Sequence, residues 1–236
     1  MKFKYEENGI QRICFAEIPS TNDYAKQKRA EKKPLIVTAL SQSKGRGTKG
    51  RSFVSNQGGV YLSLLRFYED FSAKEGFKIM ASTAAAVCKT LRHFGLNPVI
   101  KWANDVFVDD KKICGILIEN TFSGEFVHSS VVGVGLNVNG VFDGELKEIA
   151  TSMQACAGKS FSVAEVTEKL IEELLNGAKM QEYLTYIGYM GREVTLILGE
   201  EKVRAKLLSV DEEGGLWAEI DGEEKRLTSA EVSIRL

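Results

Sequence analysis

The segment Gln42–Phe53, QSKGRGTKGRSF, limits what this chain can fold into more than any other stretch. It places three glycines among two arginines and two lysines, and it lies between the apolar runs Leu35–Ala39 and Val60–Leu65. These runs have the length and composition of buried strands and predict an antiparallel pair. The glycines would let main-chain N–H groups form a concave nest around an anion, and arginine adds a fork that matches phosphate or carboxylate. An anion-binding loop is therefore expected, although a solvated basic turn would explain the segment alone equally well.

Part of this loop is close to the phosphate-loop pattern of nucleotide hydrolases, G-x-x-x-x-G-K-[ST]. Gly45, Gly50 and Ser52 fit the pattern, but Arg51 stands where the lysine belongs. That motif also has to begin a helix. A turn and a second apolar run follow here instead, so a hydrolase of that class is excluded.

Composition excludes several other classes. The chain has 236 residues, enough for one large domain and a small one, and a net charge of −1, which gives no bulk attraction for nucleic acid. The start, MKFKYEENGIQRICF, lacks the apolar run of a signal peptide, and no stretch reaches the length of a membrane span. Four scattered cysteines and two histidines predict reduced thiols in a cytoplasmic protein rather than disulfides or a zinc site.

Helix starts are indicated by three serines that each precede an acidic residue by three positions, at Ser20–Asp23, Ser72–Glu75 and Ser162–Glu165. The second helix should run to about His93, where Gly95 ends it. The third should run from Val163 to about Leu175, and more helix is expected up to about Tyr189. A short strand is expected at Ile13–Phe15.

Polar residues follow the strands of the middle third. Lys101, Asn104 and Asp105 come directly after Val99-Ile100, and Lys112 is expected at the end of a hairpin loop of about four residues. Phe126–Val134 should be a strand that ends in Gly-Val-Gly-Leu-Asn, where the glycines would let the main chain approach a flat ligand.

No Ser–His or Cys–His pair is evident, so these residues favour chemistry on a phosphate-bearing substrate by positioning and charge neutralisation, with Mg²⁺ on Asp105 as a candidate. A nucleotide-using transferase or ligase is the class that the residues alone predict.

The character of the chain changes at Gly191. Short alternating strands separated by glycine turns predict a small β-barrel. The expected strands are Glu193–Leu198, Lys202–Val210, Leu216–Ile220, Lys225–Thr228 and Val232–Leu236.

Six motifs, in order, resemble those of the biotin–protein ligases (biotin–[acetyl-CoA-carboxylase] ligases). They are Ser20-Thr21-Asn22, Gln42 with Gly45-Arg46-Gly47 and Gly50-Arg51, Tyr61-Leu62-Ser63, Lys101-Trp102-Ala103-Asn104-Asp105, Lys112 to Leu117 and Gly133 to Asn137. The resemblance covers roughly residues 13–140, and the small C-terminal β domain also fits it.

The resemblance implies an α/β (α+β) fold: a mixed-sheet catalytic domain like those of class II synthetases and biotin–lipoate ligases at 1–188, then an SH3-like β-barrel at 189–236. It implies ATP and biotin as substrates, with Mg²⁺. Biotin's carboxylate would attack the α-phosphate of ATP to give biotinyl-5′-AMP and pyrophosphate. A lysine of a biotin carboxyl carrier domain would then attack the mixed anhydride.

The resemblance also assigns residues by position. For biotin it implies Ser20, Thr21, Asn22, Gln42, Gly45, Arg46, Gly47, Thr48, Lys112, Gly115 and Ile116. For ATP and the adenylate it implies Arg51, Phe53, Tyr61, Lys101, Asn104 and Asn137. Arg46, Lys101, Asp105 and Lys112 would be catalytic, and Asp105 would hold the metal or the acceptor lysine.

Three positions depart from the family pattern: Ala103 replaces proline, Phe53 replaces a common tryptophan and Thr48 replaces a second arginine of the loop. No DNA-binding extension is expected before Ile13, so no nucleic-acid partner and no membrane partner are predicted, and a homodimer is left open. A lipoate–protein ligase of the same fold and a non-catalytic biotin or nucleotide sensor are the alternatives.

Overall fold

The structure is a computed structural model that describes residues 2–7, 9–199, 201–228 and 232–235. This part of the chain forms thirteen strands and six α-helices. The strands are β1 Lys2–Glu7, β2 Ile10–Ile18, β3 Leu35–Gln42, β4 Gly59–Phe67, β5 Val99–Lys101, β6 Asp105–Val108, β7 Lys111–Ser123, β8 Phe126–Asn137, β9 Glu193–Leu198, β10 Glu201–Val210, β11 Leu216–Ile220, β12 Glu223–Leu227 and β13 Val232–Arg235. The helices are α1 Thr21–Gln27, α2 Phe77–His93, α3 Leu146–Ile149, α4 Met153–Ala157, α5 Val163–Asn176 and α6 Met180–Tyr186.

The first eight strands form one mixed sheet in the order β1-β2-β3-β4-β8-β7-β6-β5. Only the β2–β3 pair is parallel, because α1 connects these two strands and returns the chain to the edge where β2 began. The antiparallel pairing of β3 with β4 places the glycine-rich loop at one end of two buried strands, as the sequence predicts.

The two faces of this sheet bury different cores. A small cluster lies beneath α1 and includes Ile13, Ala25, Val37 and Val131. The opposite face packs against α2 and α5 in a cluster that continues into the second sheet.

The second sheet has the order β12-β11-β10-β9-β13 and confirms the predicted small C-terminal β domain. The observed β9 and β11 have the predicted bounds, β10 begins one residue earlier, and β12 lies at Glu223–Leu227 rather than at 225–228. Leu236 and the turn residue Glu200 lie outside the described residues. Trp102 Nε1 donates a hydrogen bond of 3.0 Å to the Gly214 carbonyl, so the turn after β5 contacts the second sheet directly.

Ser72 does not begin α2 as expected. Its side chain accepts a hydrogen bond from Lys74 N and starts a short 3₁₀ turn, and α2 begins only at Phe77 after Gly76. The helix still ends where predicted, because Gly95 takes a left-handed φ of +85° just beyond His93.

The β6–β7 hairpin has a two-residue turn and not the predicted loop of about four residues. Asp109 and Asp110 both have positive φ, +50° and +58°, as a tight hairpin turn of this kind requires. Lys112 therefore belongs to β7 and is fixed by the sheet rather than carried on a loop. β1 was not predicted, and the Trp102–Ala103 peptide bond is cis.

Candidate active site

A cavity of about 270 Å³ opens beside the N-terminus of α1, under the glycine-rich loop. All but three of the predicted site residues line it. They are Ser20, Thr21, Asn22, Gln42, Arg46, Gly47, Thr48, Arg51, Phe53, Asn104, Asp105, Lys112, Gly115, Ile116 and Asn137. Segments that are far apart in the sequence therefore meet at one place, as the ordered motifs predicted.

The inner end of the cavity is a network of buried polar groups. Ser20 caps α1 by accepting a hydrogen bond from Asp23 N, which frees the next residues to point inward. Gln42 Oε1 accepts hydrogen bonds from Thr21 N at 2.8 Å and from Thr21 Oγ1 at 3.0 Å. Ser63 Oγ lies 2.8 Å from Thr21 Oγ1 and 2.5 Å from Asn22 Oδ1. The side chains that would face a polar ligand are thus oriented before any ligand arrives.

The glycines of β7 and β8 make room for neighbouring side chains. A Cβ on Gly133 would lie 2.2 Å from Asn22 Oδ1, and one on Gly135 would lie 2.6 Å from the Phe53 ring. Gly115 is paired with Gly135 across the two strands, and a Cβ there would lie 3.2 Å from the same ring. Phe53 therefore forms an apolar wall over two glycines, and all three glycines line the cavity.

The glycine-rich loop closes on itself. Gly47 N donates to Arg51 O at 2.7 Å, and Phe53 N donates to Gly45 O at 2.9 Å. Gly45 has to be glycine, because a Cβ there would lie 2.3 Å from Phe53 O. Some main-chain N–H groups of the loop are therefore used within the loop, and its folded shape defines the rim of the cavity.

The charged side chains of the loop are held in two different ways. Arg46 donates from Nη1 to Asp23 Oδ1 at 2.5 Å and from Nη2 to Glu119 Oε1 at 2.9 Å. Arg51 folds back instead, with Nη2 donating to Thr48 Oγ1 at 2.8 Å. Thr48 thus positions Arg51, a role that the sequence did not indicate. The side chain of Lys49 lies outside the described residues.

Lys112 and Asp105 form an ion pair in the lining of the cavity. Lys112 Nζ donates to Asp105 Oδ1 at 2.6 Å, and Asn104 Nδ2 donates to the same oxygen at 3.3 Å and to Ile116 O at 3.0 Å. The β6–β7 pairing brings these residues together, with Asp105 opposite Gly115. The predicted lysine is therefore fixed by a carboxylate that the sheet register places beside it.

Three predicted site residues do not line the cavity. Gly45 shapes the loop from behind, as described above. Tyr61 is buried and donates to Asn56 O at 2.6 Å, and burial raises the pKa of its phenol to about 12. Lys101 Nζ lies 4.9 Å from the centre of the Phe107 ring. Tyr61 supports the turn before β4, and in this structure Lys101 lies outside the lining.

Asn137 lies at the far end of the cavity, where its amide donates to Thr151 O at 3.0 Å. Near it the segment 141–150 contributes apolar side chains that the sequence analysis missed, among them Phe142, Leu146 and Ile149. Val141 and Ile149 are 80% and 63% exposed. The helical spacing of Phe142, Leu146 and Ile149 was the available signal. Further lining residues outside the predicted set of site residues are Ser52, Val54, Leu62, Leu117, Gly133, Val134, Gly135 and Ala150.

The residues that line the cavity could bind a magnesium ion only together with substrate phosphates. Within the described part of the chain, no group of three or more His, Cys, Asp or Glu side chains could hold a metal, and Asp105 is the one carboxylate in the cavity lining. Mg²⁺ is commonly bound by one or two carboxylates together with phosphates and waters, which this arrangement permits.

A family model described as the biotin/lipoate A/B protein ligase family matches residues 14–137, more than half of the chain. The chain belongs to this family. A second model, the biotin protein ligase C terminal domain, matches residues 189–235, which hold the second sheet. The match to the first model covers every lining residue before Val138, so the cavity is built almost entirely from the family's own segment.

Curated relatives in the same family include longer proteins. The chain is 30% identical over 217 residues to the bifunctional ligase/repressor BirA of Bacillus subtilis, covering 84% of this chain and 66% of that protein. The BirA of Escherichia coli is 29% identical over 234 residues, with 92% and 72% covered. A biotin–[acetyl-CoA-carboxylase] ligase of Paracoccus denitrificans is 32% identical over 111 residues, 45% of each chain.

Solved structures agree with the fold. The biotin protein ligase of Aquifex aeolicus in complex with biotin and ATP superimposes with a TM-score of 0.78 at 28% identity, covering 95% of this chain and 98% of that one. Its ligand-free structure gives 0.77 at 25% identity. Both sheets therefore belong to one known architecture. No helix among the described residues has the length and apolarity to cross a bilayer.

Proposed function

We propose that this protein is an ATP-dependent biotin–protein ligase that makes biotinyl-5′-AMP and transfers biotin to a lysine of a biotin carboxyl carrier domain. The observation that carries the proposal is the cavity itself, in which a preformed polar network and the Lys112–Asp105 pair lie side by side. The Aquifex relative, which binds biotin and ATP in its complex, supports this assignment. We also propose a catalytic domain at 1–188 and a barrel domain at 189–236, which matches the separation into two sheets.

Biotin's polar ring system would lie at the inner end, where Thr21, Asn22 and Gln42 offer hydrogen-bonding groups in fixed positions. A buried polar site of this kind strongly rejects acids that lack matching groups, because its own donors and acceptors would be left unpaired. This is the physical reason to favour biotin over lipoate, whose ring carries no urea.

Lys112 would stand where biotin's carboxylate meets the α-phosphate. The carboxylate oxygen attacks phosphorus, the bond to the β-phosphate oxygen breaks and pyrophosphate leaves. A fixed ammonium offsets the negative charge that gathers at this junction without needing to reorganise. Asp105 holds Lys112 in place before ATP binds. Mg²⁺, if Asp105 and the phosphates hold it, would supply further charge neutralisation.

In the second step the acceptor amine attacks the anhydride carbonyl and AMP leaves. Asp105 and Asn104, at the cavity's polar side, are suited to hold the incoming lysine. The Paracoccus relative's name, which specifies acetyl-CoA carboxylase, supports a carboxylase carrier domain as the acceptor. The net charge of −1 supports the absence of a nucleic-acid partner, and a gel shift with DNA at physiological salt tests it.

The test is pyrophosphate release from ATP with biotin, with lipoate and with neither acid, followed by transfer of labelled biotin to a purified carrier domain. We expect release and transfer with biotin only. Release with lipoate instead would assign the chain to the other branch of the family. Binding of biotin without any release would indicate a sensor.

A further inference from the structure

A closed ring of four ion pairs lies at the rim of the cavity, where Arg46 leaves the glycine-rich loop. Arg46 Nη1 contacts Asp23 Oδ1 at 2.5 Å, and Lys26 Nζ contacts the same oxygen at 2.7 Å. Arg46 Nη2 contacts Glu119 Oε1 at 2.9 Å, and Lys26 Nζ contacts that oxygen at 3.1 Å. Two cations and two carboxylates therefore alternate, and the ring has no net charge.

The ring joins three separate parts of the fold. Asp23 and Lys26 lie on α1, Glu119 lies on β7, and Arg46 is the loop's contribution. Glu119 is further anchored, because its Oε2 accepts a hydrogen bond of 3.1 Å from Asn22 Nδ2 and its carbonyl accepts one of 2.6 Å from Arg29 Nη2. Asp23, Lys26 and Glu119 therefore belong to the sheet and its helix. Arg46 is the one member of the ring that lies on a loop.

The ring is held in its charged form. Burial alone would raise the pKa of Glu119, but hydrogen bonds from Asn22, Lys26 and Arg46 outweigh burial and leave that pKa below its ordinary value. Burial likewise acts to raise the pKa of Asp23, but hydrogen bonds from Lys26 and Arg46 outweigh burial and lower that pKa. The side chains of Glu119 and Lys26 are 22% and 27% exposed, so their pair is shielded better than ordinary surface pairs, whereas Arg46 and Asp23 are 39% and 42% exposed.

Arg46 cannot serve this ring and also offer an uncompensated charge to a substrate. Both ends of its guanidinium fork are bonded to carboxylates, although Arg46 lines the cavity together with Gly47 and Thr48, the next residues of the loop. We propose that Asp23, Lys26 and Glu119 are positioning residues that hold Arg46, and through it Gly47 and Thr48, closed over the cavity. Arg46 then acts on the reaction through the ring rather than as a group that touches the reacting atoms.

The expected change in KM rests on the proposed ligase function, whereas the expected opening of the loop does not. If the ring fails, the loop is open for a larger fraction of the time. The apparent affinity for biotin falls by that fraction, while a bound ligand can still draw the loop shut, so KM should rise and kcat should stay nearly constant.

The test uses the full chain with Glu119→Gln, Asp23→Asn and Lys26→Gln. The matched control is Glu31→Gln, which neutralises an acid paired with Lys28 just beyond α1, outside the ring. Trypsin cleavage after Lys44, Arg46 or Arg51 measures loop opening without reference to activity, because cleavage follows the open population. Each ring variant should be cut about three- to tenfold faster than wild type and should raise KM for biotin by a similar factor, with kcat within about twofold. The control should behave as wild type.

Arg46→Gln, made in the wild type and in the Glu119→Gln background, separates the two roles of arginine. If Arg46 acts through the ring, replacing it should lower activity by a clearly smaller factor once Glu119 has been neutralised. An equal loss of kcat in both backgrounds would overturn the proposal, and so would unchanged cleavage in all three ring variants. If wild type releases no pyrophosphate with biotin, the function proposal fails, yet the cleavage rates still decide whether the ring closes the loop.

Discussion

The two ends of the cavity are built in opposite ways. At the inner end Thr21, Asn22 and Ser63 are buried and bonded to one another before any ligand is present. At the outer end the lining residues Leu146 and Ile149 are 39% and 63% exposed. The inner end is therefore preorganised and polar, whereas the outer end offers apolar surface that only a bound ligand would cover.

This difference teaches where selectivity and affinity should come from. A fixed polar network discriminates strongly, because a wrong ligand leaves buried groups unpaired at about 1–3 kcal/mol each. Exposed apolar side chains contribute by area, at about 25 cal/mol for each Å² removed from water, and tolerate changes of ligand shape. We therefore expect variants of the inner end to affect biotin and variants of the outer end to affect the nucleotide.

The largest effect should come from Lys112, which lies where the two ends meet. Lys112→Ala removes the charge opposite the carboxylate–phosphate junction and leaves Asp105 unpaired, so adenylation should slow by about 100- to 1000-fold. Single-turnover pyrophosphate release measures it. Lys111→Ala is the matched control, since the neighbouring Lys111 Nζ bonds only to the Lys147 carbonyl, among the described residues, at 2.7 Å. Near-normal release in the Lys112 variant would contradict the assignment.

The next effect tests the inner end alone. Gly133→Ala would place a Cβ 2.2 Å from Asn22 Oδ1 and displace that amide from the network. Biotin affinity should fall by about 10- to 100-fold, with KM for ATP unchanged. Calorimetric titration with biotin gives the affinity, and a thermal melt checks that the variant folds. Gly140→Ala, whose Cβ would meet nothing nearer than Phe142 at 3.6 Å, is the control. Equal losses for biotin and ATP would show that the two ends are not separable.

The same contrast explains what the sequence could predict. The inner end comes from short motifs in which polar residues directly follow strands or begin a helix, so the family resemblance could assign Thr21, Asn22 and Gln42 by position. The β3–β4 pair and the second sheet were also found, since turn residues and apolar alternation are local signals. Contacts between distant segments were not predicted. Glu119 and Arg46, for example, are 73 positions apart, and only the fold brings them together.

Two misplaced elements have local causes. Ser72 satisfies the capping pattern, but its hydrogen bond goes to Lys74 N and produces a 3₁₀ turn, which the pattern alone cannot distinguish from an α-helix start. Asp109 and Asp110 form a two-residue hairpin turn without any glycine, because aspartate tolerates positive φ. The strand β7 therefore begins at Lys111, earlier than predicted. The outer apolar residues were missed because their helical spacing extends over only two turns, among charged residues.

An intermediate effect is expected at Thr48, which lies on the loop between the two ends. The family pattern has an arginine here, and a charge-assisted contact to phosphate is worth roughly 1.5–3 kcal/mol. Wild type should therefore lose biotinyl-5′-AMP and label bystander proteins, and Thr48→Arg should reduce that labelling by about tenfold. Biotin incorporation into serum albumin measures the leak.

Two variants refine this prediction. Thr48→Val keeps the shape but removes the hydroxyl that holds Arg51, so it separates the loss of that contact from the gain of a new charge. Lys49→Ala tests the competing explanation that the neighbouring lysine already retains the adenylate; in that case wild type would not leak and this variant would. If neither wild type nor Lys49→Ala labels bystander proteins, position 48 does not control how long the protein retains biotinyl-5′-AMP.

The smallest effect should come from the outer end. Ile149 lines the cavity yet is 63% exposed, so it gains burial only if the nucleotide part of the ligand covers it. Ile149→Ser should raise KM for ATP by about three- to fivefold, the equivalent of about 1 kcal/mol of lost apolar burial, and leave biotin affinity unchanged. Leu40→Ser is the control, because Leu40 is 56% exposed on a strand away from the cavity lining and should leave both constants alone. If Ile149→Ser instead weakened biotin binding as Gly133→Ala is expected to do, the outer segment would have to close over the whole ligand, and the division of the cavity into a preformed end and a ligand-completed end would be wrong.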